Sequence, residues 1–203
     1  AVGLQGIGHP TGFGDAGEAD VFLKVAASEE LMRSGSGGFV ASLGSLDIGL
    51  PPVWRTGSRA LKQRIVPQVL AGEKIIALAI TEPSGGSDVA NLQTRAVRDG
   101  DHYVVNGSKT FITSGARADC YTVAVRTGEA GFGGVSLLLI ERGTPGFTVG
   151  RNLKKMGWWA SDTAELFFQD CRVPAENLLG PENSGFFTIM ANFQAERLSL
   201  AVM

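Results

Sequence analysis

Two short segments of this chain carry residue types suited to holding a ligand. Thr81-Glu82-Pro83-Ser84-Gly85-Gly86-Ser87-Asp88 follows the apolar run Ile75–Ile80, and Lys109-Thr110-Phe111-Ile112-Thr113-Ser114-Gly115 comes a short strand pair later. Ile75–Ile80 reads as a strand, which puts the Thr81 hydroxyl at a strand tip. Gly85 and Gly86 allow a tight turn and a close approach of backbone to a ligand. Ser87 and the neighbouring N–H groups are donors suited to phosphate or ring oxygens. Phe111 offers a ring to lie against a flat cofactor, and Thr113, two residues on, a donor for its heteroatoms. Each segment also admits a plain reading. The first is then an ordinary strand-to-loop turn, and the second a strand whose aromatic faces the core.

A third candidate is Glu196. Ile189, Phe193, Glu196, Leu200 and Met203 recur at alternating intervals of four and three residues, which places them on one helical stripe with Glu196 near its middle. A carboxylate there is costly unless it is paired or left partly neutral. Its plain reading is a salt bridge to a nearby charge, or an exposed position on a frayed helix. Phe187, Ala191, Leu198 and Val202 make a second apolar face, so the helix is expected to be covered on both sides. Asn183 or Ser184 can cap its start.

These segments resemble the acyl-CoA dehydrogenases, flavin enzymes that oxidise acyl-CoA thioesters. The family's T-E-P-x-x-G-S-D and W/F-I-T-x-G segments occur in order. The likeness continues through Gly143-Thr144-Pro145-Gly146-Phe147, Met156-Gly157, Ser161-Asp162-Thr163, Val173–Gly180 and Gln194-Ala195-Glu196-Arg197-Leu198. Several motifs in order are far more specific than any one of them. The resemblance implies FAD as cofactor. It assigns Leu78, Ile80 and Thr81 to the flavin ring, Ser87 to the cofactor phosphates or the acyl-CoA, and Thr113 to the flavin N5/O4 edge. Gly86, Phe111 and Ile112 complete the cofactor set. Tryptophan is commoner in the family at Phe111; phenylalanine keeps the ring face and loses the indole N–H. Glu82 and Asp88 are expected in turn hydrogen bonds.

Isovaleryl- and long-chain-type members carry the catalytic glutamate at the position of Glu196, whereas most others carry it in a later helical domain. The resemblance therefore implies that Glu196 takes the α-proton of the thioester while a hydride passes from the β-carbon to flavin N5, leaving a trans-2-enoyl-CoA. Such a base needs a dry site that raises its pKa. Ser87, Phe187, Gln194 and Arg197 match positions that contact acyl-CoA. Gln194 departs from the aspartate of isovaleryl-type enzymes, and Trp159 from a commoner arginine. The implied partners are an electron-transfer flavoprotein and further copies of the chain, as a dimer or tetramer. The competing readings are an oxygen-using flavin oxidase or monooxygenase of the same fold, and a non-catalytic homologue.

Composition narrows the classes. The formal net charge is −2, the pI is about 5.7, and no Lys/Arg block occurs, which argues against nucleic acid and anionic membranes. No apolar run approaches the ~20 residues of a membrane span. Cys120 and Cys171 show no metal spacing, and no metal is expected; their even number leaves a disulfide between them open, but two scattered cysteines point to a reducing compartment. Cys120 is expected as a buried small apolar residue. His9 and His102 are isolated. The resemblance places the protein in a bacterial cytoplasm, or in a mitochondrial matrix if the source is eukaryotic.

The elements that must position these groups fall into three stretches, an α+β organisation. Residues 1–74 are read as part of an N-terminal helical domain, with loop to Gly17. Helices are expected over Glu18–Ser34, Gly38–Leu50 and Ser58–Leu70, the last capped by Ser58 and stopped by Gly72. Pro51-Pro52 and Thr56-Gly57 are read as separators. Residues 75–180 are expected as a middle antiparallel β-domain, barrel- or sandwich-like, with a hairpin turn at Asn106-Gly107. Residues 181–203 are expected to start a C-terminal helical bundle. The start without methionine and the end inside a helical pattern are read as those of a fragment.

Overall fold

The structure, a computed structural model, describes residues 21–202. Helices α1 (Val21–Met32), α2 (Gly37–Gly49), α3 (Pro51–Thr56) and α4 (Arg59–Leu70) come first. The strands are β1 (Ile76–Ala79), β2 (Arg95–Asp99), β3 (His102–Thr113), β4 (Cys120–Arg126), β5 (Val135–Glu141), β6 (Phe147–Asn152) and β7 (Thr163–Pro174), and α5 (Gly185–Val202) comes last. The loop expected up to Gly17 and the start of the first expected helix lie outside the described residues. The Ser58 hydroxyl accepts from the Leu61 N–H and caps α4. Gly72, at φ 75°, follows that helix's end.

The seven strands form one curled mixed sheet. β4 pairs along its whole length with β5; its other edge is shared by β1 and the start of β2, and the sheet continues through β3 and β7 to β6. β4 and β5 are apolar on both faces because both faces are covered. On β5, Leu137 and Leu139 face the helices, in a core with Leu50, Ile65, Ile76 and Ile189. Leu138 and Ile140 face the interior of the curl with Tyr103, Val105, Tyr121, Leu166 and Val173. Among the described residues no helix is long and apolar enough to cross a membrane. Both cysteines are buried and free; burial pushes the Cys120 thiol up to about 12.

Several expectations are corrected. Pro51-Pro52 does not separate helices but opens α3; proline suits a first helical turn, where its missing N–H has no intrahelical partner. The β-domain is not wholly antiparallel, because β1 and β2 run parallel to β4. The β2–β3 hairpin lies between β1 and β4 in the chain and lets β4 enter alongside β1 in the same direction. Asn106-Gly107 is no turn. The hairpin turns at Gly100-Asp101, where Asp99 pairs His102 and Gly100 has φ 61°, which suits a turn with glycine first. Asn106 sits inside β3 opposite a bulge in β7, its side chain exchanging hydrogen bonds with Asp170 at 2.8 and 3.2 Å. On α5, Ile189 and Asn192 are buried, but Phe187, Leu198 and Leu200 are exposed. The helix packs on α1, α2, α3 and β5, and among the described residues nothing covers its outer face.

Gly107 has φ 146°, and a Cβ there would lie 2.7 Å from the Thr94 Cα. Gly107→Ala should therefore lower unfolding free energy by about 1–3 kcal/mol in chemical denaturation; an unchanged midpoint would contradict this placement.

Candidate functional site

The site begins with a lysine buried in a strand. Lys109 follows Tyr103 and Val105 on the inward face of β3, and its side chain is 0% exposed. Its Nζ donates to Glu82 Oε1 at 2.8 Å and to the Ile80 carbonyl at 2.9 Å. The same carboxylate accepts the N–H groups of Gln93 at 2.6 Å and Thr94 at 2.8 Å. Glu82 thus meets the hydrogen-bonding role expected of it, through a buried ion pair with β3. Burial works to raise the Glu82 pKa, but the charge and hydrogen bond of Lys109, with the Thr94 and Gln93 donors, hold it below the usual carboxylate value. Burial pushes Lys109 down to about 8 against the pull of Glu82.

This pair fixes the two candidate segments against each other. Thr81 accepts the Thr110 N–H at 2.9 Å, and Glu82 and Gly85 close a tight loop with two mutual backbone hydrogen bonds of 3.0 Å. The role of Gly86 is space: a Cβ there would lie 3.1 Å from the Thr81 hydroxyl oxygen. Gly85 has open space around it, and Ser87 is exposed at the rim. Asp88 accepts the Asn91 side-chain amide. Leu78 and Ile80 point the other way, into the core shared with the helices.

Phe111 lies where the β3–β7 register shifts, between Lys109 and Ile112. It takes φ 58°, a conformation uncommon for a bulky residue, and its ring is 66% exposed. The bulge turns the ring out of the core, so the core-facing reading of this aromatic is set aside. Ile112 is buried and Thr113 half-buried. The following turn is held by Asp162, whose carboxylate accepts from the Ala116 N–H and from Arg117, and whose carbonyl accepts the Ser114 N–H. Ser114, also at positive φ, shares a 2.7 Å hydroxyl contact with Ser45 of α2.

Glu196 is half-buried on α5. Its Oε2 is buried and meets no hydrogen-bond partner among the described residues. Burial pushes its carboxyl above the usual value, opposed by Arg197. The exposed Arg197 guanidinium lies 5.4 Å from the Phe193 ring. Gln194 is exposed. Phe187 is 61% exposed and packs edge-on against Phe186. α5 joins the same core as Leu78 and Ile80 through Ile189 and Phe193. Met203 and the Val202 side chain lie outside the described residues.

The family model for the acyl-CoA dehydrogenase N-terminal domain matches residues 1–73, and that for the middle domain matches residues 77–171. The chain belongs to the acyl-CoA dehydrogenase family. It is 40% identical over 201 residues to an acyl-CoA dehydrogenase of Bacillus subtilis, covering 98% of this chain and 52% of that protein. It is similar to the crystal structure of a probable acyl-CoA dehydrogenase from Mycobacterium abscessus, at TM-score 0.94 and 57% identity, over 99% of this chain and 54% of that one. A structure of PigA in complex with FAD matches at TM-score 0.90 and 32% identity, over 98% of this chain and 53% of that one. The chain spans about half the length of the relatives it matches.

Several residues of this family member escaped the sequence reading. Lys109 had a readable signal, an inward strand position shared with Tyr103 and Val105, which demands a buried acid. Asn192, one turn before Glu196, donates to the Ile48 carbonyl at 2.8 Å and fixes α5 on the end of α2; nothing local marked it. Gly38 is needed because a Cβ there would lie 2.8 Å from the Trp158 backbone. Trp158 and Trp159 are exposed, and the Trp159 indole donates to the Lys155 carbonyl. Among the described residues no cluster of side chains is arranged to hold a metal.

Lys109→Met leaves Glu82 buried and unpaired, so unfolding free energy at neutral pH should fall by about 3–5 kcal/mol. The depressed Glu82 pKa contributes stability above its ordinary value of 4.5, and that contribution is lost as pH falls through the lower folded value. Glu82→Gln should therefore flatten the acid limb of the stability–pH curve. An acid limb unchanged in this variant would contradict the assignment.

Proposed function

We propose that the full-length protein is a flavin-dependent acyl-CoA dehydrogenase and that Glu196 is its base. The observation that carries this reading is the Glu196 carboxylate, buried at Oε2, without a partner there among the described residues, and raised in pKa on a helix that shares its core with the Thr81 strand. Ordinary structural glutamates are paired or exposed; a half-buried carboxyl with one oxygen shielded and unpaired suits a group awaiting a proton.

The residues present fit FAD. The missing side chain of Gly86 leaves room beside the hydroxyl of half-buried Thr81, whose carbonyl is bonded to β3, and the Phe111 ring of β3 is turned outward. Thr81, Gly86, Ser87, Phe111, Ile112 and Thr113 would hold the cofactor, with Leu78 and Ile80 backing it from the core. When bound, the flavin supplies the hydride acceptor that complements proton removal. Glu196 takes the α-proton, and its raised pKa keeps the carboxylate basic enough to do so near neutral pH. The hydroxyl of Thr113 is a donor to negative charge developing on the cofactor edge. Ser87, Phe187, Gln194 and Arg197 would orient the acyl-CoA; all but Ser87 lie on α5 with the base. An electron-transfer flavoprotein is the proposed acceptor, and a dimer or tetramer the proposed assembly.

The test is anaerobic bleaching of the flavin absorbance in the full-length protein, titrated with straight-chain and isovaleryl-type acyl-CoAs. Wild type should bleach, and Glu196→Gln should bleach at least about 10³-fold more slowly while still binding ligand. Equal bleaching in both would move the base elsewhere, and no bleaching in wild type would overturn the dehydrogenase reading.

A further inference from the structure

Arg126 ends β4, and its guanidinium is committed to backbone carbonyls of two loops. Nε donates to Leu92 O at 2.9 Å and Nη2 to Ala90 O at 2.5 Å. Nη1 donates to Glu129 O at 2.6 Å and Gly131 O at 3.1 Å. Ala90 and Leu92 lie just past Ser87, in and after the 3-10 turn Val89–Asn91. Glu129 and Gly131 lead into the 3-10 turn Phe132–Gly134, which packs on the first. The next residue, Thr127, shares hydroxyl contacts with Ser136 at 2.6 Å and Asn183 at 2.8 Å, tying the same loop to the entry of α5. Phe132 is 56% exposed, and its ring stands 5.9 Å from those of Phe186 and Phe187.

Only a planar fork of five donors can hold two carbonyl-lined loops at once; a lysine ammonium has three donors at a single point. We infer that Arg126 is a positioning residue for acyl-CoA: it locks the Ser87 loop to the Phe132 turn, so that a hydroxyl donor and an exposed ring are presented together to the coenzyme A portion of the substrate. That portion offers phosphate and amide oxygens to a donor and an adenine face to a ring. The inference rests on the acyl-CoA reading above and concerns ligand affinity, not proton removal.

The test uses full-length holoprotein carrying Arg126→Gln, Arg126→Lys, Phe132→Ala, or Arg126→Gln with Phe132→Ala. Free coenzyme A is titrated calorimetrically, and turnover is followed with the acyl-CoA that bleaches wild type fastest. Arg126→Gln should raise the coenzyme A Kd and the KM about tenfold with kcat within about twofold, a loss of binding shared by ground and transition states. Arg126→Lys should not restore them. Phe132→Ala should raise the same two quantities, and the double variant should bind no worse than Arg126→Gln by more than about twofold, because the arginine acts through that turn. Losses that multiply in the double variant would overturn the inference. So would a fall in melting temperature and FAD content with unchanged coenzyme A affinity in the remaining holoprotein, or wild type that binds no coenzyme A. Wild type that binds coenzyme A yet never bleaches would instead remove the dehydrogenase reading and leave this inference standing.

Discussion

The buried pair of Lys109 and Glu82 is the interaction on which the placement of the Thr81 and Phe111 segments depends. Taking two charges out of water is expensive and is recovered only when the remaining hydrogen-bonding capacity is met. Here Lys109 also donates to the Ile80 carbonyl, and Glu82 also accepts two backbone N–H groups. One ion pair therefore fixes the end of β1, the start of the segment leading to β2, and the middle of β3. Thr81 is adjacent to one partner and Phe111 two residues from the other. An apolar pair could fill the same volume but would not give the two segments this direction.

Around that fixed point the backbone is strained in a small region. Phe111, Ser114 and Trp158 take positive φ without being glycine. Such conformations persist only where the surroundings over-determine them. Asp162 and Ser45 hold the Ser114 turn, and the bare backbone of Gly38 admits the Trp158 segment. Glu82 and Glu196 are opposites in this arrangement. The first has its capacity met on every side and is held ionised; the second has a buried oxygen that meets no donor among the described residues, and burial pushes its carboxyl above the usual value. Environment alone pushes the two carboxylates in opposite directions.

Much of this was legible in the chain. Ser58 and Gly72 marked the limits of α4, the doubly apolar β4 and β5 were visible as runs, and the place of Glu196 on the stripe with Ile189 and Phe193 followed from spacing. Asn106-Gly107 misled because Gly100-Asp101 offers a competing turn six residues earlier, and only the pairing of Asp99 with His102 decides between them. The partners of Lys109 lie 27 and 29 residues back in the chain, and two of the four carbonyls held by Arg126 lie 34 and 36 residues back, so neither residue's own stretch reveals the full set. The outward rotation of Phe111 depends on the β7 register, which no local pattern encodes. The bare outer face of α5 reflects what the described residues can reach, not the helix's own periodicity.

The central claim, that the Glu196 carboxyl is held dry and raised, is most directly measured by infrared titration of the carboxyl C=O band in the full-length protein against Glu196→Gln. A protonated-carboxyl band that persists above the ordinary value of 4.5 and is missing from the variant is the predicted result. A wild-type spectrum in which no band absent from the variant survives above that pH would contradict the account.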